Sequence, residues 1–182
     1  MPLLEIKNLA LDFLVDDASL RAVDGVSLTI EAGETVCLVG ESGCGKSVTA
    51  LSIAQLVPAP PARYVGGEIL LEGRDVLKLS KAELCGIRGS VVSYVFQKPG
   101  TSLNPVFRVG AQIKESLKLH RPNLGAPVSD PALSYRTNKP GRRPALRSNA
   151  RPTNKELDAA VVRLLKLVGI PAPESRLKDY PF

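Results

Sequence analysis

Gly40-Glu41-Ser42-Gly43-Cys44-Gly45-Lys46-Ser47 matches G-x-x-x-x-G-K-[ST], the pattern of a loop that cradles phosphate. Its flanks decide how far to believe it. Glu34-Thr35-Val36-Cys37-Leu38-Val39, opened by Ala32-Gly33, is β-branched and apolar and predicts a short buried strand. Residues 46–56 hold no Gly or Pro and carry Ala50, Leu51 and Ala54, which predicts a helix that stops before Pro58. Strand, glycine loop and helix in that order is the setting the motif requires. Gly40, Gly43 and Gly45 let the backbone turn tightly with its N–H groups inward, and Glu41, Ser42 and Cys44 complete the loop. The positive end of the new helix adds to that nest, so a polyphosphate is the natural guest. Lys46 is then expected to reach the β- and γ-phosphates and the Ser47 hydroxyl to ligate Mg²⁺. The plainer reading, a Gly-rich turn that merely precedes a helix, is disfavoured because all three elements agree.

Working outward, 182 residues suggest one domain with an appendage, and an apolar share of 44% is ordinary for a globular chain. No apolar run approaches the ~20 residues needed to cross a bilayer. Met1-Pro2-Leu3-Leu4-Glu5-Ile6-Lys7 lacks a basic region followed by an apolar core, so no signal peptide is expected. Cys37, Cys44 and Cys85 are odd in number and lack metal-ligand spacing. Cys37 is expected inside the strand before the loop, and a reducing compartment fits best. His120, the one histidine, is expected to close a helix, partly solvated and without a catalytic role.

Charge is uneven. Residues 121–153 carry Arg121, Arg136, Lys139, Arg142, Arg143, Arg147 and Arg151 against Asp130 alone, which accounts for the whole formal excess of +6. The same stretch holds Pro122, Pro127, Pro131, Pro140, Pro144 and Pro152. Basic, proline-rich and poor in large apolar residues, it predicts a flexible insertion. No aromatic interleaving supports base stacking, so no specific nucleic-acid partner is expected.

Leu4-Glu5-Ile6-Lys7-Asn8-Leu9 alternates, Leu11-Asp12-Phe13-Leu14-Val15 continues in strand-like composition, and Val26-Ser27-Leu28-Thr29-Ile30 alternates again. An antiparallel β layer before the phosphate loop follows. Gly67-Glu68-Ile69-Leu70-Leu71-Glu72-Gly73 predicts another strand. Val91-Val92-Ser93-Tyr94-Val95-Phe96 predicts a buried one that delivers Gln97 at its carboxyl edge, where α/β sheets bind ligands. Ser80-Lys81-Ala82-Glu83 and Thr153-Asn154-Lys155-Glu156 are capping boxes. After the second, Leu157, Val161, Leu164, Leu165 and Val168 line one helix face that needs a partner surface. Residues 109–120 are the helix expected to supply it.

These motifs together resemble the ATP-binding subunits of ABC transporters, over about residues 3–120 and 154–182. The loop looks like the Walker A of the oligopeptide/dipeptide/nickel importer branch, and Ala22-Val23-Asp24-Gly25-Val26-Ser27 looks like its second strand. Phe96-Gln97-Lys98-Pro99-Gly100-Thr101-Ser102-Leu103-Asn104-Pro105 looks like its Q-loop, and Asp179-Tyr180-Pro181 like the lead-in to its signature motif. Lys98 stands where that branch usually has an acidic residue. The resemblance implies an α/β P-loop NTPase-type core with an N-terminal antiparallel β layer, incomplete relative to the full ABC ATPase fold. It implies a nucleotide-binding core over 1–120, the insertion over 121–153 and the start of a helical subdomain over 154–182.

It also implies roles. Phe13 falls where an aromatic stacks on adenine, though a packed strand residue fits equally. Gln97 would ligate Mg²⁺ or its water and report the nucleotide state to a membrane partner. The ligands are ATP and Mg²⁺. The partners are transmembrane permease subunits, a second ATP-binding subunit and, indirectly, a substrate-binding protein. The location is peripheral, on the cytoplasmic face of the plasma membrane. The signature, Walker B aspartate and catalytic glutamate would lie beyond Phe182, so no catalytic residue is assigned. The expected function is the ATP-binding component of an importer for peptides or related small solutes. The alternative is a truncated, non-hydrolysing nucleotide-binding fragment. A third class, a small-molecule kinase on the same loop, is disfavoured by the Q-loop match.

Overall fold

A computed structural model describes residues 1–16, 18–97, 102–120 and 152–181. They form two compact units, Met1–Arg88 and Gly89–Phe182. The insertion foreseen at 121–153 lies outside the described residues except for its last two positions.

The first unit is built on an antiparallel sheet. Strands β1 (Leu4–Val15), β2 (Ala18–Ile30), β3 (Ala62–Leu71) and β4 (Arg74–Asp75) lie in the order β2-β1-β3-β4. One face is buried and the other wet, as alternating strands dictate. Leu4, Ile6, Leu9, Leu11, Val23, Ile69 and Leu71 form the inner face. Outside, Lys7 bridges Glu5 at 3.1 Å and Glu68 at 3.3 Å.

The buried parity switches between Ile6 and Leu9, because β1 carries one extra residue there against both neighbours. Asn8 takes the left-handed conformation at φ 47, and its N–H donates to Ser27 Oγ at 2.8 Å. The bulge returns Leu9 and Leu11 to the core side; a slip of one residue would otherwise turn them outward.

Helix α1 (Lys46–Ser52) follows the phosphate loop and is shorter than the sequence suggests. Arg88 explains its end: Nε donates to the Ala54 carbonyl at 2.9 Å and the guanidinium to the Gln55 carbonyl at 2.7 Å. A short 3-10 turn, Val76–Lys78, leads to α2 (Lys81–Ile87), whose Ser80–Glu83 capping box forms as expected.

In the second unit, α3 (Val109–His120) packs against α4 (Asn154–Leu167), with a single turn, α5 (Pro173–Arg176), beyond. Leu117, Leu157, Ala160, Val161 and Leu165 form the core, joined by Ile113, Leu164 and Leu177. Lys114 reaches across to Asp158 at 2.8 Å. The Thr153–Glu156 capping box starts α4. Val168, assigned to the apolar face from its spacing, is the exposed residue just past the helix end.

Two expectations fail. Residues 34–39 form no strand, and every side chain from 31 to 44 is exposed, Cys37 included. Residues 91–96 form no strand either; Gly89 donates to the Val92 carbonyl in a tight turn, and Val95 is 98% exposed. Both runs are apolar on two faces, the pattern of strands covered on both sides. Among the described residues neither has a neighbouring strand.

Candidate phosphate-binding loop

Lys46, the first residue of α1, follows Gly45, the N-cap residue in the left-handed region at φ 89. The next glycine back, Gly43, is at φ 85. Both conformations disfavour any residue with a Cβ. Thr49, buried, returns two hydrogen bonds to the Gly45 carbonyl: N–H at 2.8 Å and Oγ1 at 3.0 Å. The first turn of α1 carries no acidic side chain, so its positive end is not neutralised locally.

Lys46 folds back over the loop. Its Nζ donates to the Gly40 carbonyl at 2.8 Å and the Glu41 carbonyl at 2.5 Å, and lies 3.3 Å from Cys44 Sγ. The ammonium therefore sits at the mouth of the nest it is expected to serve. Ser42 and Ser47 are exposed beside it. Ser47 offers one hydroxyl oxygen to a divalent cation. No cluster of three or more His, Cys, Asp or Glu side chains exists among the described residues to hold a metal alone. The donor set therefore suits Mg²⁺ held mainly by phosphate oxygens, with Ser47 as a single protein ligand.

The floor of the loop was not legible as a site residue. β2 carries an extra residue between Val23, opposite Leu11, and Arg21, opposite Asp12. That residue is Ala22. Its carbonyl lies 2.5 Å from where a Cβ on Gly45 would stand, with Val23 Cγ2 at 3.7 Å. The bulge thus turns a backbone oxygen onto the loop, and only glycine fits against it. A bulge leaves almost no composition signal; the demand for glycine at 45 was the one clue.

Phe13 belongs to the same unit. It pairs with Leu20 on one side and Ala62 on the other, on the sheet face that carries Leu11, Val23 and Tyr64. It is half-buried, at the rim where the core gives way to the exposed Leu14, Val15 and Leu20. Beside it Asp12 is held by Arg21 and by Ser19 Oγ at 2.8 Å, which keeps its carboxyl below the usual range.

Gln97 lies in the second unit, exposed, just after residues 91–96, which form no strand. Tyr94 and Phe96 stack there with centroids 6.3 Å apart. His120 has a packing role: its imidazole occupies the space a Cβ on Gly89 would take, with Nε2 at 2.6 Å.

This geometry agrees with what the chain is similar to. The ABC transporter family model matches residues 23–180. The oligopeptide transport ATP-binding protein OppD of Bacillus subtilis is 39% identical over 98% of this chain and 42% of its own length. The dipeptide transport ATP-binding protein DppD of the same organism is 38% identical over 98% of this chain and 44% of its own. The chain thus spans less than half the length of these relatives. Among solved structures, the dimeric bacterial ABC transporter cassette MJ0796 aligns over 63% of this chain and 46% of its own, at 26% identity and a TM-score of 0.54. With the family model covering most of its length and part of a cassette's fold in its structure, the chain belongs to the ABC transporter family, among relatives that are ATP-binding subunits for oligopeptides and dipeptides.

Proposed function

We propose that the chain is the ATP-binding part of an importer for peptides or related small solutes. The observation that carries this is the loop itself: a left-handed Gly45 at a helix start, braced on the Ala22 carbonyl, with the Lys46 ammonium already over the nest. Phosphate oxygens of ATP replace the carbonyls that Lys46 holds. Loop N–H groups and the end of α1 supply further positive potential. Ser47 would ligate Mg²⁺, which would neutralise phosphate charge when bound. Phe13 would give the adenine an apolar surface, and Gln97 would serve as a ligand to Mg²⁺ or its water, the role that the family resemblance implies for it. Hydrolysis also needs a base that orients water. The loop's one carboxylate, Glu41, is exposed. The partners are permease subunits and a second ATP-binding subunit, with a substrate-binding protein acting at a distance, at the cytoplasmic face of the membrane.

Titration calorimetry with Mg-ATP tests this. Wild type binds; Lys46→Ala loses most of the affinity, because one full charge at the β- and γ-phosphates disappears. Equal affinities would overturn the site.

A further inference from the structure

Helix α1 is held at its far end as well as at the loop. Ala54 is fully buried, so its carbonyl cannot turn to water and needs a protein donor. Arg88 supplies it: Nε donates to the Ala54 carbonyl at 2.9 Å and the guanidinium to the Gln55 carbonyl at 2.7 Å. Gln55 takes the left-handed conformation at φ 49, and its Nε2 donates to the Val76 carbonyl at 2.6 Å. The Arg88 N–H meanwhile donates to the Leu84 carbonyl at 3.0 Å and closes α2. The trailing turn of α1, the 3-10 turn and the end of α2 are thereby tied together.

At the front, Gly45 lies against the Ala22 carbonyl of β2. α1 is thus pinned at both ends within the first unit. Its seven residues rise only about 10 Å, linked throughout by backbone hydrogen bonds. A direction set at residues 54 and 55 is therefore carried to the N–H groups of residues 43–46. Loop N–H groups that already converge spare a phosphate the cost of ordering them. Geometry decides which side chain can hold the far end. A guanidinium presents several donors in one plane and meets two carbonyls at once, whereas an ammonium meets them as a point charge. The positive charge also lies at the negative end of α1.

We propose that Arg88 is a positioning residue for the phosphate loop: by holding the Ala54 and Gln55 carbonyls it fixes α1, and through α1 the nest that takes the phosphates. Arg88 acts on the nucleotide only through the helix. Its role rests on the ATP-binding reading above, and the two fail separately.

The full chain is compared with Arg88→Gln, Arg88→Lys and Ile6→Val at a temperature where circular dichroism shows each fully folded. Ile6, 1% exposed on the inner face of the sheet, is the control for lost stability alone. Mg-ATP and inorganic pyrophosphate are titrated into each, and amide exchange is followed at Gly43, Gly45 and Lys46. Arg88→Gln is expected to weaken both ligands about tenfold, by the same factor, because the loss lies in the phosphate nest. Its loop amides exchange faster than those of the wild type. Arg88→Lys falls between, with the charge kept and the fork lost. Ile6→Val binds both ligands as the wild type does. Should Arg88→Gln not fold, the loss in Arg88→Lys must appear against Ile6→Val. Wild-type affinity in both Arg88 variants, or an equal loss in Ile6→Val, would overturn the positioning role. Failure of the wild type to bind either ligand would instead overturn the ATP-binding reading.

Discussion

Residues 4–15 and residues 91–96 are both rich in β-forming side chains, yet only the first forms a strand. The difference lies in what each is offered. β1 finds β2 through a short turn and β3 on its other edge, and one of its faces meets a core. Residues 34–39 and 91–96 are apolar on both faces and need cover on two sides. A helix makes its hydrogen bonds within itself. A strand makes them with another segment, so composition states a need that only a partner can meet.

The comparison is broken or sharpened most strongly by native-state hydrogen exchange. Amides of Ile6, Leu9 and Leu11 are expected to be protected by ~10³-fold or more, and those of Val36, Leu38 and Val95 by little. Equal protection in both sets would show that these two runs belong to a sheet after all.

Truncation in the cores comes next. Leu157→Ala and Leu11→Ala, at fully buried positions, are expected to cost about 2–5 kcal/mol each in chemical denaturation. Val39→Ala and Val95→Ala, more than nine-tenths exposed, should stay within ~0.5 kcal/mol. A large loss at Val95 would place it in a packed strand.

A smaller effect separates local from tertiary stabilisation in the second unit. Thr153→Ala removes the side-chain acceptor for the Glu156 N–H and is expected to cost about 1 kcal/mol. Thr153→Asn or Thr153→Ser should restore most of it. If alanine costs nothing, α4 owes its start to packing against α3 alone.

The smallest is a pH effect at the rim of the β layer. The Arg21 guanidinium and the Ser19 hydroxyl hold the Asp12 carboxyl below its ordinary value. Its contribution is therefore complete above the unfolded carboxylate range, near pH 4, and is lost as pH falls toward the lower folded value. Asp12→Asn should remove that part of the acid dependence and leave stability flat there. The pair lies at the protein surface with Arg21 open to solvent, so screening keeps the difference at neutral pH small.

Much of this was legible because it is local. The glycines and lysine of the phosphate loop, both capping boxes, the bounds of α3 and the antiparallel layer each follow from neighbours a few residues apart. The candidate loop's turn was legible in the sequence and its floor was not. Gly45 announces a close approach, but nothing in the sequence says that Ala22 makes it. Arg88 was equally silent, since an arginine at the end of one helix has no composition signal for holding the end of another.

The sequence by itself determined the glycine loop from Gly40 to Ser47 and the helices capped by Ser80 and Thr153, because helix caps and glycine turns are satisfied within a few residues. Only the tertiary structure decided where bulges at Asn8 and Ala22 re-aim β1 and β2, which strand-like runs are paired, and which apolar side chains stay in water. Those outcomes depend on the partner each backbone group meets across the fold, and a strand's partner is never written in the strand.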